Sequence, residues 1–448
     1  MNKTITQYVL NNYFLNHTID PNSIEIGYGE TEKKIRIVNN SDDFFNNVSN
    51  KLDENKPIWD SWNNVRIPFL FSENIVEEII SINEDQSVTI HYDLISCIFY
   101  FLSGWQELDK DKADQYGRFP FKNSLQYKLK FIELPVVNYY YSILSKAICL
   151  AYGLEKVEPN LRDKNFITFV SHDIDKCQSG WIQDAFSEVK RKNYFSAAGI
   201  ITKRLFQKDH WFNFSRILEF EKKRGILSTF FFIPRKEFHP GVKQANADYR
   251  LNSKKFESVL TKIRKSDSEV GLHGSLGSGL DEIQMKEDVQ SFPSRVVGNR
   301  YHFLMYRIDR MASILDHCSI SYDNSVYFAE HVGFRHSTCT PFYLYDFSKN
   351  QMSKVIEIPL IIMDGTLQHS KYMGVPISEM LDACKKTIDE VHKFNGILSI
   401  LWHNNYYSDY KYADWENILG GILDYAQSKN TTYMSGEKIM KELNRRKK

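Results

Sequence analysis

The stretch Phe166-Ile-Thr-Phe-Val-Ser-His-Asp-Ile-Asp175 determines how the rest of the chain is interpreted. Its first five residues are mostly apolar and β-prone, which predicts a buried strand. An imidazole and two carboxylates follow at once, those of His172, Asp173 and Asp175. Such groups are costly to bury unless they are paired or bind a metal, and ligands of α/β proteins usually bind at the carboxyl ends of strands. The stretch therefore indicates either a functional site or a turn whose aspartates cap the next helix.

Composition indicates a globular protein with more than one domain. The chain has 448 residues, of which 42% are hydrophobic and 25% are charged, and its formal net charge is +1. This length exceeds that of a domain with one ordinary hydrophobic core. The chain also lacks the excess of basic residues that is typical of a nucleic-acid-binding protein. Six scattered cysteines without a CxxC pair indicate reduced thiols, and we find neither a secretory signal nor an apolar run of roughly 18 residues. We expect a cytoplasmic protein with no nucleic-acid partner and no transmembrane segment.

The two parts of the chain differ in the pattern of their segments. Residues 1–155 mix short alternating strands with two helices, one capped by Asp93 and one following Pro135. We interpret them as a smaller accessory α/β domain of unknown role. After a polar linker, residues 165–448 alternate strand-like and helix-like segments; the strand-like ones include 226–234, 269–273, 332–335 and 396–402. Such alternation predicts an α/β fold with a distorted (β/α) barrel.

The segment 188–208 is both basic and amphipathic. It carries six Lys and Arg residues beside apolar side chains such as Tyr194 and Phe195. A segment of this kind either docks on an anionic membrane surface or forms an ordinary solvated helix face. Peripheral membrane docking therefore stays open as an alternative.

Polar side chains follow several predicted strands of the second region. In chain order they are His273 and Ser275, Arg300 and His302, Asp323, Arg335, Asp364, and His403 with Asn404. In a barrel, strands distant in sequence meet at one rim. One histidine after an apolar strand means little, but repetition at several strand ends predicts a composite active site.

The residue types at these strand ends suit hydrolysis of an unactivated bond. A divalent ion held by Asp and His polarises a carbonyl and lowers the pKa of bound water. A second carboxylate can accept the proton of that water, and a histidine can protonate a leaving amine. The sequence has no P-loop, no GxSxG, no HExxH and no GxGxxG, since residues 274–279 are glycine-rich without its spacing. Metal-assisted hydrolysis is therefore favoured.

The order of these motifs resembles that of the polysaccharide deacetylases of carbohydrate esterase family 4, the NodB-homology fold. The resemblance covers about residues 165–440 and rests on five motifs: Ser171-His-Asp-Ile-Asp175, Ser228-Thr-Phe-Phe-Phe-Ile233, Glu269-Val-Gly-Leu-His-Gly-Ser275, Arg300-Tyr-His302 and Leu398-Ser-Ile-Leu-Trp-His403. The first region resembles, through residues 93–103 and 117–120, the domain that accompanies such deacetylases in bacterial surface-polysaccharide gene sets.

The resemblance implies a role for each matching residue. Asp173 corresponds to the catalytic base, Arg300 to the arginine that orients it, and His403 to the general acid. Asp175 and His273 correspond to metal ligands. The family usually has adjacent aspartates and a second histidine four residues after the first, where this chain has Ile174 and Gly277.

These departures leave the metal site short by one ligand, and His302 is the substitute that the sequence offers. The mixed His/Asp set favours zinc, although a site rich in oxygen ligands can prefer another divalent metal. For substrate binding we assign Ser275, Trp402, Asn404 and Arg335. A structural ion pair is the alternative for Arg335.

The sequence thus predicts a metal-dependent hydrolase that removes the N-acetyl group from an amino sugar of a surface glycan or its precursor. Three alternatives stay open: a glycan-binding pseudoenzyme, a hydrolase of a non-sugar amide or imide, and a scaffold that uses the first region as its contact surface. The sugar, the position that is deacetylated and the oligomeric state are not determined by the sequence.

Overall fold

The stretch that begins at Phe166 forms a buried strand, as predicted. In the computed structural model the strand spans Ile167–Ile174, and all eight of its residues are buried. The structure describes residues 2–41, 43–109, 112–114, 116–161, 166–237, 246–408 and 412–445. The strand is longer than the apolar run, so that His172 and Asp173 belong to it rather than to a following turn.

The first region combines a small sheet with helices. Its strands are β1 Ile26–Tyr28, β2 Ile35–Ile37, β3 Ile58–Trp62, β4 Val65–Phe69, β5 Ile80–Ile82 and β6 Val88–Ile90, and its helices are α1 Asn2–Asn16, α2 Leu94–Leu102, α3 Leu125–Lys128 and α4 Val136–Tyr152. The sheet has the order β1-β2-β6-β5, and β3 and β4 pair separately as an antiparallel hairpin.

The helices α2 and α4 are those that the sequence predicted. The Asp93 carboxylate caps α2 by accepting a hydrogen bond from the Ser96 amide at 2.9 Å, and all nine residues of this apolar helix are buried. Helix α2 ends at Leu102, because Gly104 takes a φ of 71° and residues 105–108 continue as a 3₁₀ helix. Helix α4 ends where Gly153 takes a φ of 65°.

The second region is built on one large sheet. Its strands are β7 Ile167–Ile174, β8 Thr229–Phe232, β9 Glu269–Gly274, β10 Gly298–Tyr301, β11 Tyr322–Asp323, β12 Phe342–Asp346, β13 Gln351–Glu357, β14 Ile362–Met363, β15 Ile397–Leu401 and β16 Thr432–Tyr433. Its helices are α5 Gly180–Lys190, α6 Tyr194–Phe206, α7 Phe214–Arg224, α8 Lys254–Lys265, α9 Glu282–Ser291, α10 Ile308–His317, α11 Asp364–Gln368, α12 Met380–Lys393, α13 Trp415–Ser428 and α14 Gly436–Arg445.

The order of this sheet explains where the site forms. The sheet runs β12-β13-β11-β10-β9-β8-β7-β15-β14, with β16 beside β7. From β14 to β11 every pair of neighbouring strands is parallel, whereas β12 and β13 are antiparallel. The parallel strands therefore have their carboxyl ends at one edge. The α/β class with a distorted (β/α) barrel, predicted from the sequence, is confirmed, and the structure adds that the sheet curls into only half a barrel.

The predicted strand over residues 332–335 is wrong. Gly333 takes a φ of 135°, and a side chain there would meet the Ile132 carbonyl oxygen. The Phe334 amide donates to this oxygen at 2.9 Å, while the Gly333 amide donates to the Ile361 carbonyl at 3.1 Å. The segment is thus a turn that packs against the first region. Its β-prone composition gives no sign of this contact.

The two regions share one apolar core. A single cluster of buried residues extends from Ile5 and Tyr8 in α1 to Leu423 in α13, and the Tyr8 hydroxyl donates to the Tyr343 carbonyl at 2.8 Å. The domain boundary near residues 155–165 stays a prediction, and residues 162–165 lie outside the described part of the chain. No helix within the described residues is long and apolar enough to cross a membrane. The cytoplasmic location also stays a prediction.

Candidate active site

Three side chains that can bind a metal converge at the carboxyl edge of the large sheet. Ligand atoms of Asp175, His273 and His302 all lie within 4.8 Å of one another. The Nε2 atom of His273 is 3.2 Å from Oδ1 of Asp175, and Nε2 of His302 is 3.6 Å from Oδ2 of the same carboxylate. The three predicted ligands therefore lie together, although they are separated by up to 127 positions in the sequence.

Strand register accounts for this convergence. Asp175 directly follows β7, and His273 near the end of β9 pairs in register with Arg300 of β10. His302 then begins a 3₁₀ turn in which Phe303 and Leu304 have φ values of 59° and 52°. These left-handed values bend the chain immediately after His302 and are rare for residues with side chains.

The hydrogen bonding of His273 leaves one nitrogen available to a metal. Its Nδ1 atom lies 2.7 Å from the Arg300 carbonyl oxygen. Because a carbonyl oxygen only accepts, Nδ1 carries the proton, and in the neutral ring Nε2 then directs its lone pair toward Asp175. A metal-binding histidine is typically oriented in this way by a backbone carbonyl.

The three residues fit a divalent ion by donor type and spacing. Two ligands bound tetrahedrally to zinc at about 2.1 Å are about 3.4 Å apart, close to the two separations found here. Among the described residues, the buried Oδ1 atom of Asp175 and Nδ1 atom of His302 have no hydrogen-bond partner. Burial lowers the pKa of His302, which favours the neutral form that a metal requires. Burial raises the pKa of Asp175, but the adjacent His302 and His273 lower it well below its usual value.

Gly277, which stands where the related family has a ligand histidine, serves a backbone purpose. Its φ is 96°, a conformation that residues with side chains rarely adopt. The Gly277 carbonyl also accepts hydrogen bonds from the amides of Leu280 and Asp281. A histidine at this position would strain the turn, so the third nitrogen or oxygen donor has to come from elsewhere, and His302 is in place.

Asp173 is held beside the triad by a buried arginine. Its Oδ1 atom accepts a hydrogen bond from Nη1 of Arg300 at 2.7 Å, and its Oδ2 atom is 3.5 Å from Nε2 of His273. The Arg300 guanidinium is fully buried, donates to Ser171 and Asn324, and lies 4.6 Å from the centre of the Phe231 ring. Fixed in this way, Asp173 presents its Oδ2 atom beside the ligand atoms of the triad.

His403 lies on the other side of the triad and forms a dyad with Asp364. Leu401 of β15 pairs with Ser171, so His403 stands two residues further on, level with Asp173. Its Nδ1 atom is 2.8 Å from Oδ1 of Asp364, and its Nε2 atom is 3.9 Å from Oδ2 of Asp175. Burial alone would lower the pKa of His403, but the Asp364 carboxylate raises it to about 10. The ring is therefore protonated at neutral pH.

Asp364 is the site residue whose partner the sequence did not reveal. It was noted only as a polar strand end, and its role follows from the pairing of Met363 with Leu401, which aligns the ends of β14 and β15. Its other oxygen accepts a hydrogen bond from the His403 amide. The sequence did not show that β14 and β15, two short strands from distant segments, lie side by side, and this alignment is what brings Asp364 to His403.

A cavity of about 790 Å³ opens over these groups. Its walls include residues of both regions: Asp114, Tyr116 and Arg118 from the first, and Asp173, Asp175, His273, Tyr301, His302, Phe303, Leu304, Ala329, Met363, Asp364, Gly365, His369, Lys371, Tyr372, Leu401, His403, Asn405 and Tyr406 from the second. Five of the six predicted catalytic and ligand residues line the cavity, and Arg300 lies behind Asp173.

The four residues assigned to substrate binding lie outside this cavity. Ser275 donates to Asp288 at 2.6 Å, and the Asn404 side chain donates to the carbonyls of Lys176 and Trp211 at 2.9 and 2.8 Å. Trp402 is fully buried, with its ring 5.7 Å from that of Trp415. These three side chains support the walls of the site from behind.

Arg335 forms the structural ion pair that was its alternative interpretation. Its Nε and Nη2 atoms donate to the two oxygens of Glu107 at 2.9 and 2.6 Å, and its Nη1 atom donates to the Tyr327 carbonyl. Both ionic side chains are buried, and the pair joins the first region to the second. The Arg335 side chain is 3% exposed and its charge is paired with Glu107; a role in substrate binding stays a prediction.

The fold and site together define a class of protein: a mixed α/β fold with an Asp/His triad, a buried Arg–Asp pair and a His–Asp dyad around one cavity. Comparisons with known proteins find similarities to both regions. Residues 4–152 match the sequence profile of a family of unknown function, DUF7033. No curated protein matches the chain.

Solved structures that resemble the second region include deacetylases and a related hydrolase. A protein assigned as a polysaccharide deacetylase from Mycobacterium smegmatis is 11% identical, with a TM-score of 0.42, over 63% of this chain and 92% of that chain. Puue allantoinase is 14% identical, with a TM-score of 0.41, over 63% and 91% of the two chains. A protein assigned as a polysaccharide deacetylase from Pseudomonas aeruginosa PAO1 is 14% identical, with a TM-score of 0.41, over 63% of this chain and 92% of that chain.

Proposed function

We propose that the protein is a metal-dependent hydrolase that removes the N-acetyl group from an amino sugar of a glycan or glycan precursor. The observation that carries this proposal is the arrangement around one point of three metal-capable side chains, a carboxylate held by Arg300 and a histidine paired with Asp364. Amide hydrolysis needs these three functions together, because the amine leaves only after protonation and water is a weak nucleophile.

The proposed roles follow from the contacts. A divalent ion held by Asp175, His273 and His302, with zinc favoured by the donor types, would supply Lewis acidity toward the acyl oxygen and acidify bound water. Asp173 would accept the proton of the attacking water through its Oδ2 atom, while Arg300 keeps the carboxylate oriented. His403 would donate its Nε2 proton to the departing nitrogen, and Asp364 would keep the ring charged until then.

The cavity supports a sugar substrate. Its volume of about 790 Å³ falls in the range of small-molecule pockets, about 300–1,000 Å³. Aromatic rings from both regions, those of Tyr116, Phe303, Tyr372 and Tyr406, lie beside polar groups such as Arg118. Rings next to hydrogen-bonding groups suit the apolar faces and hydroxyls of a pyranose.

Release of acetate from N-acetylated oligosaccharides tests the proposal, and zinc binding tests its ligand set. We expect the apo protein to bind about one zinc ion per chain, and we expect His302→Ala to weaken zinc binding at least tenfold, because one of three protein ligands is lost. Titration with a competing chromophoric chelator measures both values. His317→Ala, which removes an exposed histidine paired with Glu282, is the matched control and should bind zinc as wild type does.

Unchanged zinc affinity in His302→Ala would show that His302 is no ligand. Zinc binding without acetate release, but with retained binding of oligosaccharides, would favour the pseudoenzyme alternative. Turnover of a cyclic amide or imide instead of an N-acetyl sugar would place the same site in a different hydrolase.

A further inference from the structure

The helices α5 and α6 expose an unusual number of large apolar side chains. Phe195 is 95% exposed, Phe206 is 84% exposed and Leu205 is 76% exposed. The complete exposed set of this hairpin is Ile182, Phe186, Val189, Tyr194, Phe195, Ile201, Leu205 and Phe206. A contiguous exposed apolar surface of this kind normally marks an interaction site.

The apolar residues follow the helix period instead of being scattered. On α5, residues 182, 186 and 189 share one face, and on α6 residues 194, 201 and 205 do the same. Ala197 is the one buried residue of α6. The two helices contact each other, yet their large side chains remain outside the protein core.

The charges around this apolar hairpin are positive where they face solvent. Residues 188–208 carry six Lys and Arg side chains, of which five are exposed and Arg204 is half-buried. The two acidic residues, Asp184 and Glu188, are buried; Asp184 lies 2.8 Å from His210, and Glu188 accepts from Asn193 at 2.8 Å. The outer surface is thus apolar and cationic.

We propose that this hairpin docks the protein on an anionic lipid surface. Bulky apolar side chains entering the headgroup region, with Lys and Arg near the phosphates, are the features of interfacial helices. The Lys190 ammonium lies 4.6 Å from the centre of the Phe186 ring, so cation and apolar group are presented together. A second copy of the chain is a poorer occupant, because a two-fold interface would bring the same cations together.

The docking surface and the active site are close to each other in the sequence. Helix α5 begins at Gly180, five positions after the proposed ligand Asp175, on the carboxyl side of β7.

Sedimentation of the full-length protein with vesicles tests this proposal. We expect binding to vesicles of phosphatidylglycerol and phosphatidylcholine, little binding to phosphatidylcholine alone, and release at high salt. Phe195→Ser/Phe206→Ser should lower the partition coefficient at least tenfold. The matched control Ile75→Ser/Ile283→Ser replaces apolar residues that are 66% and 70% exposed elsewhere, and it should bind as wild type does.

All these variants change exposed side chains, so folding should be retained. Absence of binding to anionic vesicles would overturn the proposal. So would equal binding by Phe195→Ser/Phe206→Ser, or a wild-type dimer that this variant abolishes, which would identify a second copy as the occupant.

A separate observation concerns a loop of the first region, of which the structure describes Asp114 and residues 116–118. Asp114 organises this loop: its Oδ1 atom accepts from the amides of Tyr116 and Arg118 at 2.8 and 2.9 Å, and its Oδ2 atom accepts from Nε of Arg118 at 2.9 Å. Gly117 takes a φ of 75° within it. The Arg118 guanidinium is thereby fixed before it contacts the second region.

This loop contacts the backbone that carries His302. Nη1 of Arg118 donates to the Phe303 carbonyl at 3.1 Å, and the Tyr116 ring stacks on the Phe303 ring at 5.9 Å with an interplanar angle of 16°. Phe303 and Leu304 are the two consecutive left-handed residues after His302. Such a conformation persists only when its surroundings hold it.

The geometry points to Arg118 as a positioning residue for the metal site. The inference rests on the proposed function: the first region would hold the turn that presents His302, the ligand that replaces the one missing at Gly277. The accessory region would thus complete the site of the second region, and its loop forms one wall of the same cavity.

Zinc affinity of Arg118→Met tests this role independently of turnover. We expect the dissociation constant for zinc to rise about tenfold, as for other supports of metal ligands, with partial recovery in Arg118→Lys. The apo proteins should keep their melting temperature, a readout that a merely structural arginine would change. Arg310→Met, at an exposed arginine of α10, is the control.

Wild-type zinc affinity in Arg118→Met would overturn this inference, as would a loss of affinity that only follows a lower melting temperature of the apo protein. Because zinc binding is measured directly, a wild-type protein that binds zinc but releases no acetate would contradict the proposed function and leave this result interpretable.

Discussion

Asp173→Asn is expected to lower kcat for N-acetyl hydrolysis by about 10²–10⁴-fold. The amide keeps the size of the side chain and can still accept the hydrogen bond from Arg300, but it cannot take a proton from water at neutral pH. Because Asp173 is assigned as base and not as ligand, zinc binding should persist in this variant. The loss should therefore appear in the chemical step.

Acetate release at saturating substrate measures this effect, with zinc stoichiometry determined on the same samples. Asp389→Asn, the same change on the exposed side of α12 where Asp389 pairs with Lys429, is the matched control and should retain wild-type kcat. A decrease of less than tenfold in Asp173→Asn would exclude Asp173 as the base.

His403→Ala is expected to lower kcat for amide substrates by about 10²–10⁴-fold and to have less than about a tenfold effect on a p-nitrophenyl ester. An amine leaves only when it is protonated, whereas p-nitrophenolate leaves without a proton. The Asp364 carboxylate raises the pKa of His403 to about 10, so the ring holds the proton that the amine needs. A loss of kcat on the amide that is larger than the loss on the ester therefore measures the contribution of His403 as a general acid.

Parallel assays of the N-acetyl sugar and the ester give this comparison directly. His392→Ala, which removes an exposed histidine at the end of α12, is the control for a generic loss of a ring. Equal losses on both substrates would mean that His403 supports binding or structure instead of protonating the leaving group.

Local patterns in the sequence were sufficient for the elements around the site. An apolar β-prone run predicted the strand at residue 167, and a capped all-apolar segment predicted α2. Repetition of polar residues at strand ends predicted a composite site, because parallel strands of one sheet share an edge. His302 was predicted because the family resemblance left the metal site one ligand short at Gly277, and the structure groups it with Asp175 and His273; its role as a ligand stays a prediction.

The remaining contacts depend on packing between distant segments and left no local pattern. Nothing near Asp364 indicates that β14 aligns with β15, and nothing near Arg118 indicates that it meets the Phe303 carbonyl. Residues 332–335 have strand composition, but Gly333 fits closely against Ile132 of the other region. Ser275 and Asn404 hydrogen-bond to Asp288 and to the carbonyls of Lys176 and Trp211, and Trp402 is fully buried, contacts that no local pattern indicates; their role in substrate binding stays a prediction.

The ion pair between Glu107 and Arg335 makes the two regions mutually dependent parts. Burial raises the pKa of Glu107, yet Arg335 and His336 lower it to about 2, so the pair stays charged inside the protein. Separating the regions would leave the Arg335 guanidinium beside Tyr306 and Phe328 without its carboxylate partner. Removal of one partner from a buried ion pair is strongly destabilising. The first region therefore cannot simply be exchanged. A chimera that joins the second region to a different N-terminal domain would need a carboxylate in the position of Glu107 to pair with Arg335.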